Sequence, residues 1–170
     1  IFSKLLILKI LIFFLCANFI YSNDQNHTIC RVQYSGGGDW YSDPSSIPNL
    51  LKYINLNTNI KVHSEEVKIS LKDKNIFNYP YLYMTGHGNI KLSEIEIKNL
   101  RLHLLNGGFL HVDDNYGLDE SFRREIKKVF PKKNLIEIPF NHPIFSSYFI
   151  FKNGLPKIHE HDNKPPTAFG

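Results

Sequence analysis

Near the start of the chain the apolar positions are continuous: residues 10–20 carry a single polar side chain, Asn18. After residue 27 short apolar runs alternate with segments of helical spacing. Residues 29–34 have strand character and are closed by Ser35-Gly36-Gly37-Gly38. Ile47, Leu50, Leu51 and Ile54 then fall at i, i+3, i+4 and i+7, which is one face of a helix. Residues 60–63 and 65–71 each read as a short strand. Residues 81–85 form a compact apolar strand that Gly86-His87-Gly88 ends. The next helix has clear boundaries. Ser93 and Glu96 form a capping box, Leu92 and Ile97 stand as a hydrophobic staple, and Asn106-Gly107-Gly108 supplies a left-handed stop. A strand over 109–112 follows. Asp119 is placed to cap a further helix whose stripe is Phe122, Ile126, Val129 and Phe130, with Pro131 ending it. Residues 135–138 read as another strand, and the rest as loop with a short helix near Ile144.

Strands that alternate with helices are satisfied by one economical solution, an α/β sandwich of three layers built on a mainly parallel sheet. In such sheets the loops after the strands gather at one edge, and ligands bind there.

The apolar start changes the picture of where this domain works. Lys4 and Lys9 precede an apolar run with Ser22 near its exit, the pattern of a secretory signal. The same run also fits an uncleaved anchor. Residues 1–22 are therefore expected to be a signal peptide or membrane anchor, 23–27 a polar linker, and 28–170 the α/β domain. The expected location is the periplasm, free or membrane-tethered, with membrane contact through the N-terminal segment if it is retained. After cleavage Cys30 is the sole cysteine, so no internal disulfide forms. The net charge of +4 falls to about +2 without Lys4 and Lys9, too weak to argue for nucleic acid. Arg123, Arg124, Lys127, Lys128, Lys132 and Lys133 crowd one segment and read as a solvated helix face.

Polar residues concentrate after the strands. Gly36-Gly37-Gly38-Asp39-Trp40 follows the first, and Gly86-His87-Gly88 a middle one. His111, Asp113, Asp114 and Asn115 straddle the end of the next, and His159, Glu160, His161 and Asp162 come late. The glycine turn could cradle an anion with backbone N–H groups, or simply let Trp40 fold over the sheet. Asp113 and Asp114 are costly to bury without partners, so each needs a helix cap, an arginine or a chemical role. His87, His159, His161 and Asp162 together would suit a divalent metal. There Asp113 or Asp114 would activate water and His87 would shuttle protons.

Several long stretches carry a resemblance. They are Tyr34-Ser35-Gly36-Gly37-Gly38-Asp39-Trp40-Tyr41, Thr85-Gly86-His87-Gly88, Asn106-Gly107-Gly108-Phe109-Leu110-His111-Val112-Asp113-Asp114, Ser121-Phe122-Arg123-Arg124-Glu125, and Asn153-Gly154-Leu155-Pro156-Lys157-Ile158-His159-Glu160-His161-Asp162. The chain resembles the bacterial family called domain of unknown function 4159, which implies a flavodoxin-like fold of the class I glutamine amidotransferase kind. Members of that family continue past the point of Phe169-Gly170, so truncation at the C-terminus is expected. In the amidotransferases a strand like the one before Asp113 leads into an elbow carrying a nucleophilic Cys. Here Asp113 takes the elbow position, and Cys30 cannot replace it. The loop Gly86-His87-Gly88 resembles the oxyanion-hole loop of that superfamily.

Glutamine hydrolysis through a thiolate is therefore not expected. The first expectation is a module that binds a small molecule or protein, through Gly36, Gly37, Gly38, Asp39, Trp40, Gly86, Gly88 and Asn115. The second is a metal-assisted hydrolase using Asp113, Asp114 and His87. The third is a degenerate amidotransferase-like enzyme, acting on sugars as some relatives of the fold do.

Overall fold

A computed structural model describes residues 27–152, 154–157 and 165–170. Four segments rich in β-branched and aromatic residues become strands: β1 (Ile29–Val32), β2 (Val67–Ile69), β3 (Tyr81–His87) and β4 (Phe109–Tyr116). They form one parallel sheet in the order β2-β1-β3-β4. Three helices connect or follow them: α1 (Ser46–Asn57), α2 (Glu94–Leu105) and α3 (Asp119–Val129). Short 3-10 turns occupy Lys74–Asn78 and Pro143–Ser146, the latter at the helix expected near Ile144. The result is an α/β flavodoxin-like sandwich. From β1, inside the sheet, the chain moves one way to β2 and then crosses back to β3 and β4. The direction reverses between β1 and β3, which makes the carboxyl ends of these two strands the switch point of the sheet.

Alternation along the strands divides the core between two layers. Cys30, Val32, Leu82 and Met84 point to one face and bury against Leu92, Ile97, Leu100, Leu118 and Val129 of the α2–α3 layer. Ile29 and Tyr83 point the other way and meet Ile47 and Leu51 of α1. Each such side chain, fully buried, contributes roughly 1.5–3 kcal/mol. The α1 stripe is narrower than its spacing suggests, since Leu50 is 41% exposed.

The helix boundaries show which residues direct the chain. At α2 the Glu96 carboxylate accepts from the Ser93 N–H (2.8 Å) and hydroxyl (2.6 Å), and Gly107 takes the stop at φ +90°. At α3 the cap comes from a residue other than the expected one. Asp114 accepts from the N–H groups of Leu118 (2.8 Å) and Asp119 (3.1 Å), while Asp119 lies within the first turn and binds Arg123. The basic crowd on α3 is more than a solvated face. Arg124 and Lys128 both bind Glu125, which is 1% exposed and also accepts from the Leu92 N–H. Arg124 reaches on to the Asn89 side chain and the Ile90 carbonyl.

Several strand expectations change: β1 ends at Val32, β3 runs on to His87 and β4 to Tyr116. Residues 60–63 form a loop, because the Asn55 side chain satisfies both the N–H and C=O of Val62 in place of a neighbouring strand. The strand over 65–71 shrinks to Val67–Ile69. Residues 135–138 do not join the sheet; Ile136 exchanges hydrogen bonds with Gly170 instead, around an antiparallel bridge between Glu137 and Phe169. Among the described residues no helix is long and apolar enough to cross a membrane. The segment 1–22 and all of the linker but His27 lie outside the described residues.

Candidate functional site at the carboxyl edge of the sheet

The loops leaving β1 and β3 meet at the switch point and are sewn together. Gly38 N–H donates to the Asn89 carbonyl (3.0 Å), Asp39 N–H to the His87 carbonyl (3.3 Å) and Lys91 N–H to the Ser35 carbonyl (2.7 Å). The Asn89 side chain donates to the Gly36 carbonyl at 2.9 Å. Two glycines are dictated by this approach. A Cβ on Gly36 (φ +121°) would stand 2.6 Å from the Lys91 nitrogen. One on Gly86 (φ +135°) would stand 2.6 Å from the Tyr34 hydroxyl and 2.7 Å from Asp39 Oδ1. The amides of Gly38 and Asp39 are thus committed to the β3 loop, so they do not serve an anion cradle. The glycine turn closes the crevice, with Trp40 packed against the core behind it.

Asp39 and His87 form the chemical centre of this edge. One Asp39 oxygen accepts from the His87 backbone N–H, and the other lies 3.0 Å from His87 Nδ1. The side chains are 33% and 48% exposed, so the pair sits on the rim. Partial burial alone would raise the Asp39 pKa, but the His87 backbone and imidazole outweigh it and hold the carboxyl below its usual range. An imidazole that donates Nδ1–H to a carboxylate carries its lone pair on Nε2, the atom that takes a proton or a metal. Behind the pair, Tyr34 donates to the Thr85 carbonyl at 3.0 Å. Burial, with the Asp39 and Asp114 carboxylates, pushes its phenol up to about 12.

The aspartates expected to be catalytic lie on β4, the strand beside β3, where Asp113 is in register with Thr85 and Asp114 with Gly86. β4 runs on through Tyr116, so Asp113 and Asp114 are ordinary strand residues on opposite faces. Asp114 is spent on the α3 cap. Asp113 Oδ2 accepts from the Tyr83 hydroxyl at 3.2 Å on the α1 face. No elbow forms at Asp113; the turn after β4 falls on Gly117, at φ +79°. Among the described residues the one non-glycine with positive φ is Asp43, at +50°. Asn115 donates to Asp43 Oδ2 (2.6 Å) and Ser42 Oγ (3.2 Å), and accepts from Thr85 (3.3 Å). It therefore ties the β1 loop to β4 along the α1 side.

Sequence reasoning missed Arg31, which holds this side of the edge. Its side chain has no exposure. Nε binds Glu66 at 2.7 Å, and the guanidinium reaches the carbonyls of Trp40, Ser42 and Asp43 and the Ser46 hydroxyl. An arginine within a four-residue buried strand was the available signal, since a charge there requires a partner. Asn89 was missed as well, although it links the glycine turn to α3.

Among the described residues no group of three His, Cys, Asp or Glu side chains is disposed to hold a metal ion. His159, His161 and Asp162 lie outside the described residues. A cleft of about 300 Å³ opens at the opposite edge between Phe77, Pro80, His103 and residues 106–108, away from the Asp39–His87 pair. The His103 ring packs on Gly108 there and bonds the Tyr79 carbonyl, which is the work of a packing residue.

No curated protein matches the chain. A family model described as Domain of unknown function (DUF4159) matches residues 28–170, which include every strand and helix described above. With most of its length covered by that match, the chain belongs to the DUF4159 family.

Proposed function

We propose that this domain is a ligand-binding module of the amidotransferase-like lineage, exported and working at the periplasmic side. Its binding edge is the β1/β3 switch point around Asp39, His87 and the glycine turns. The observation that carries this reading is the commitment of Asp113 and Asp114 to structural hydrogen bonds, while Asp39 and His87 bond each other at the rim. A hydrolase drawing its base from Asp113 or Asp114 would have to use a carboxylate that already serves the Tyr83 hydroxyl or the α3 cap, whereas a binding site needs only a preformed rim. Hydrogen bonds between the two loops supply that rim in advance and lower the entropic cost of binding. Export rests on residues 1–22, and the lineage on the strand order and the quoted motifs.

The test is amide NMR of labelled protein titrated with a small-fragment library. Hits are expected to move the amides of residues 36–40 and 86–89. Perturbations confined to residues 106–108, or none at all, would refute the reading. The Asp39–His87 pair favours a second reading, a metal-assisted hydrolase with His87 as ligand or proton carrier. Melting untagged protein with zinc, manganese or ferrous ion separates the two. A stabilisation of several degrees that His87→Ala abolishes supports the hydrolase, and indifference to all three supports the binding module.

A further inference from the structure

Beside the amino ends of β3 and β4 one buried polar atom is left over. Among the described residues, His103 Nδ1 is the sole buried side-chain nitrogen or oxygen without a hydrogen-bond partner. His103 stands in the last turn of α2 and is 4% exposed. Its Nε2 lies 2.8 Å from the Tyr79 carbonyl. A carbonyl only accepts, so Nε2 carries the proton and the neutral ring keeps a lone pair on Nδ1. Gly108 makes room for this edge of the ring, because a Cβ there would collide with Cε1 and Nδ1. Packing and the Tyr79 bond thus account for the ring and for Nε2. They leave an acceptor buried without a donor, whereas buried polar groups are nearly always partnered.

His103 is also a wall of the cleft of about 300 Å³, with Phe77, Pro80 and residues 106–108. None of these is Asp, Glu, Lys or Arg, and an ion desolvated there without an opposite charge would be costly. Phe77, 45% exposed, and Pro80 present apolar surface to a ring. The volume stands at the low end of small-molecule sites, roughly 300–1,000 Å³. Nδ1 itself is closed to water, so a ligand reaches it by displacing part of the wall. The weakest part is the turn after α2. There the Asn106 N–H is shared between two carbonyls at 3.0 and 3.3 Å, and the Gly107 N–H reaches the Leu104 carbonyl only at 3.4 Å.

We propose that this cleft binds a small uncharged ring compound bearing a hydroxyl or N–H, which donates to His103 Nδ1 while the ring packs on Phe77 and Pro80. The site lies at the amino ends of the strands, and its existence does not depend on the reading given to the Asp39–His87 edge.

Phenol and anisole are the probes, since they share a ring and an oxygen but phenol alone donates. Each is titrated into the isotope-labelled full chain while amide and histidine-ring nitrogen resonances are followed. Phenol is expected to move the amides of residues 106–108 and the His103 Nδ1 signal, and to bind about fivefold or more tighter than anisole. Phe77→Ala, at an exposed position, should keep the far-UV circular dichroism of the wild type and weaken phenol about threefold. Equal affinity for the two probes overturns the proposal, and is the result if an internal water already serves Nδ1. An unmoved Nδ1 signal, amide changes confined to residues 36–40 and 86–89, or a folded Phe77→Ala that binds phenol like the wild type each overturns it as well. If Phe77→Ala does not fold, the comparison of probes in the wild type decides.

Discussion

Replacing Arg31 by Met tests how the edge is held. The side chains of Arg31 and Glu66 are 0% and 8% exposed and lie 2.7 Å apart. Met fills most of the arginine's volume, so the loss is mainly electrostatic. Removing one partner of a buried pair strands the other charge and costs about 3–5 kcal/mol. The Ser42 carbonyl bond at 2.9 Å falls within that sum, because charged hydrogen bonds of this length are worth about 1.5–3 kcal/mol. For a domain of this size the midpoint should fall by roughly 10–15 °C. Glu66→Gln should cost less, since the guanidinium keeps its carbonyl partners. The double variant should be milder than the sum of the singles by about 1–3 kcal/mol of coupling. Urea melts read both by far-UV circular dichroism and by Trp40 fluorescence provide the assay, as Trp40 is the sole tryptophan and belongs to the loop Arg31 holds. In Arg31→Met the Trp40 transition should precede the global one. A variant within 1 kcal/mol of wild type, or a coupling near zero, would refute the reasoning.

Other consequences are as direct. Asp114→Ala removes the acceptor for two N–H groups of α3 and should cost about 1–2 kcal/mol, against less than about 0.5 for Asp119→Ala; denaturant melts compare them. Gly86→Ala meets both the Tyr34 hydroxyl and a positive φ, so a thermal melt should show a loss of at least about 2 kcal/mol. Burial alone would raise the Glu125 pKa, but bonds from Lys128, the Leu92 N–H and Arg124 outweigh it and depress it. Asp39 is depressed too. For both carboxyls the stabilisation is complete above the unfolded value near 4 and is lost as pH falls through the lower folded value. Melting from pH 6 to pH 2 should show that acid limb, and Glu125→Gln should flatten it.

Wherever one local pattern decided the outcome, the fold was legible in the sequence. The Ile47–Leu51 spacing gave α1, the Ser93–Glu96 pair gave the start of α2, and Gly107 gave its end. Strand lengths were less legible, because β4 continues through Asp113 and Asp114, residues of low strand propensity that pairing with β3 carries along, and past a register shift at Asn115. That continuation set a strand where an elbow was expected, and from it Asp114 caps α3. Residues 135–138 have the composition of a strand but lack a neighbour to pair with in the sheet. At the site, the meeting of the Asp39 and His87 loops followed from the α/β rule. The Asp39–His87 bond and the Arg31–Glu66 pair did not, since each joins residues 35 or more positions apart.

The central place of β1 governs the order in which the molecule can assemble. Its two neighbours are β2 and β3, and the β3 register joins Ile29 to Tyr81 and Arg31 to Tyr83. A nascent chain that has released β1 must add some fifty further residues before that second ladder can close. Local contacts cannot substitute, so the closure entropy falls due before the core rewards it, and a topology of this kind folds slowly. The first of the four strands to be synthesised is enclosed late, and until then its buried arginine and cysteine remain open to water.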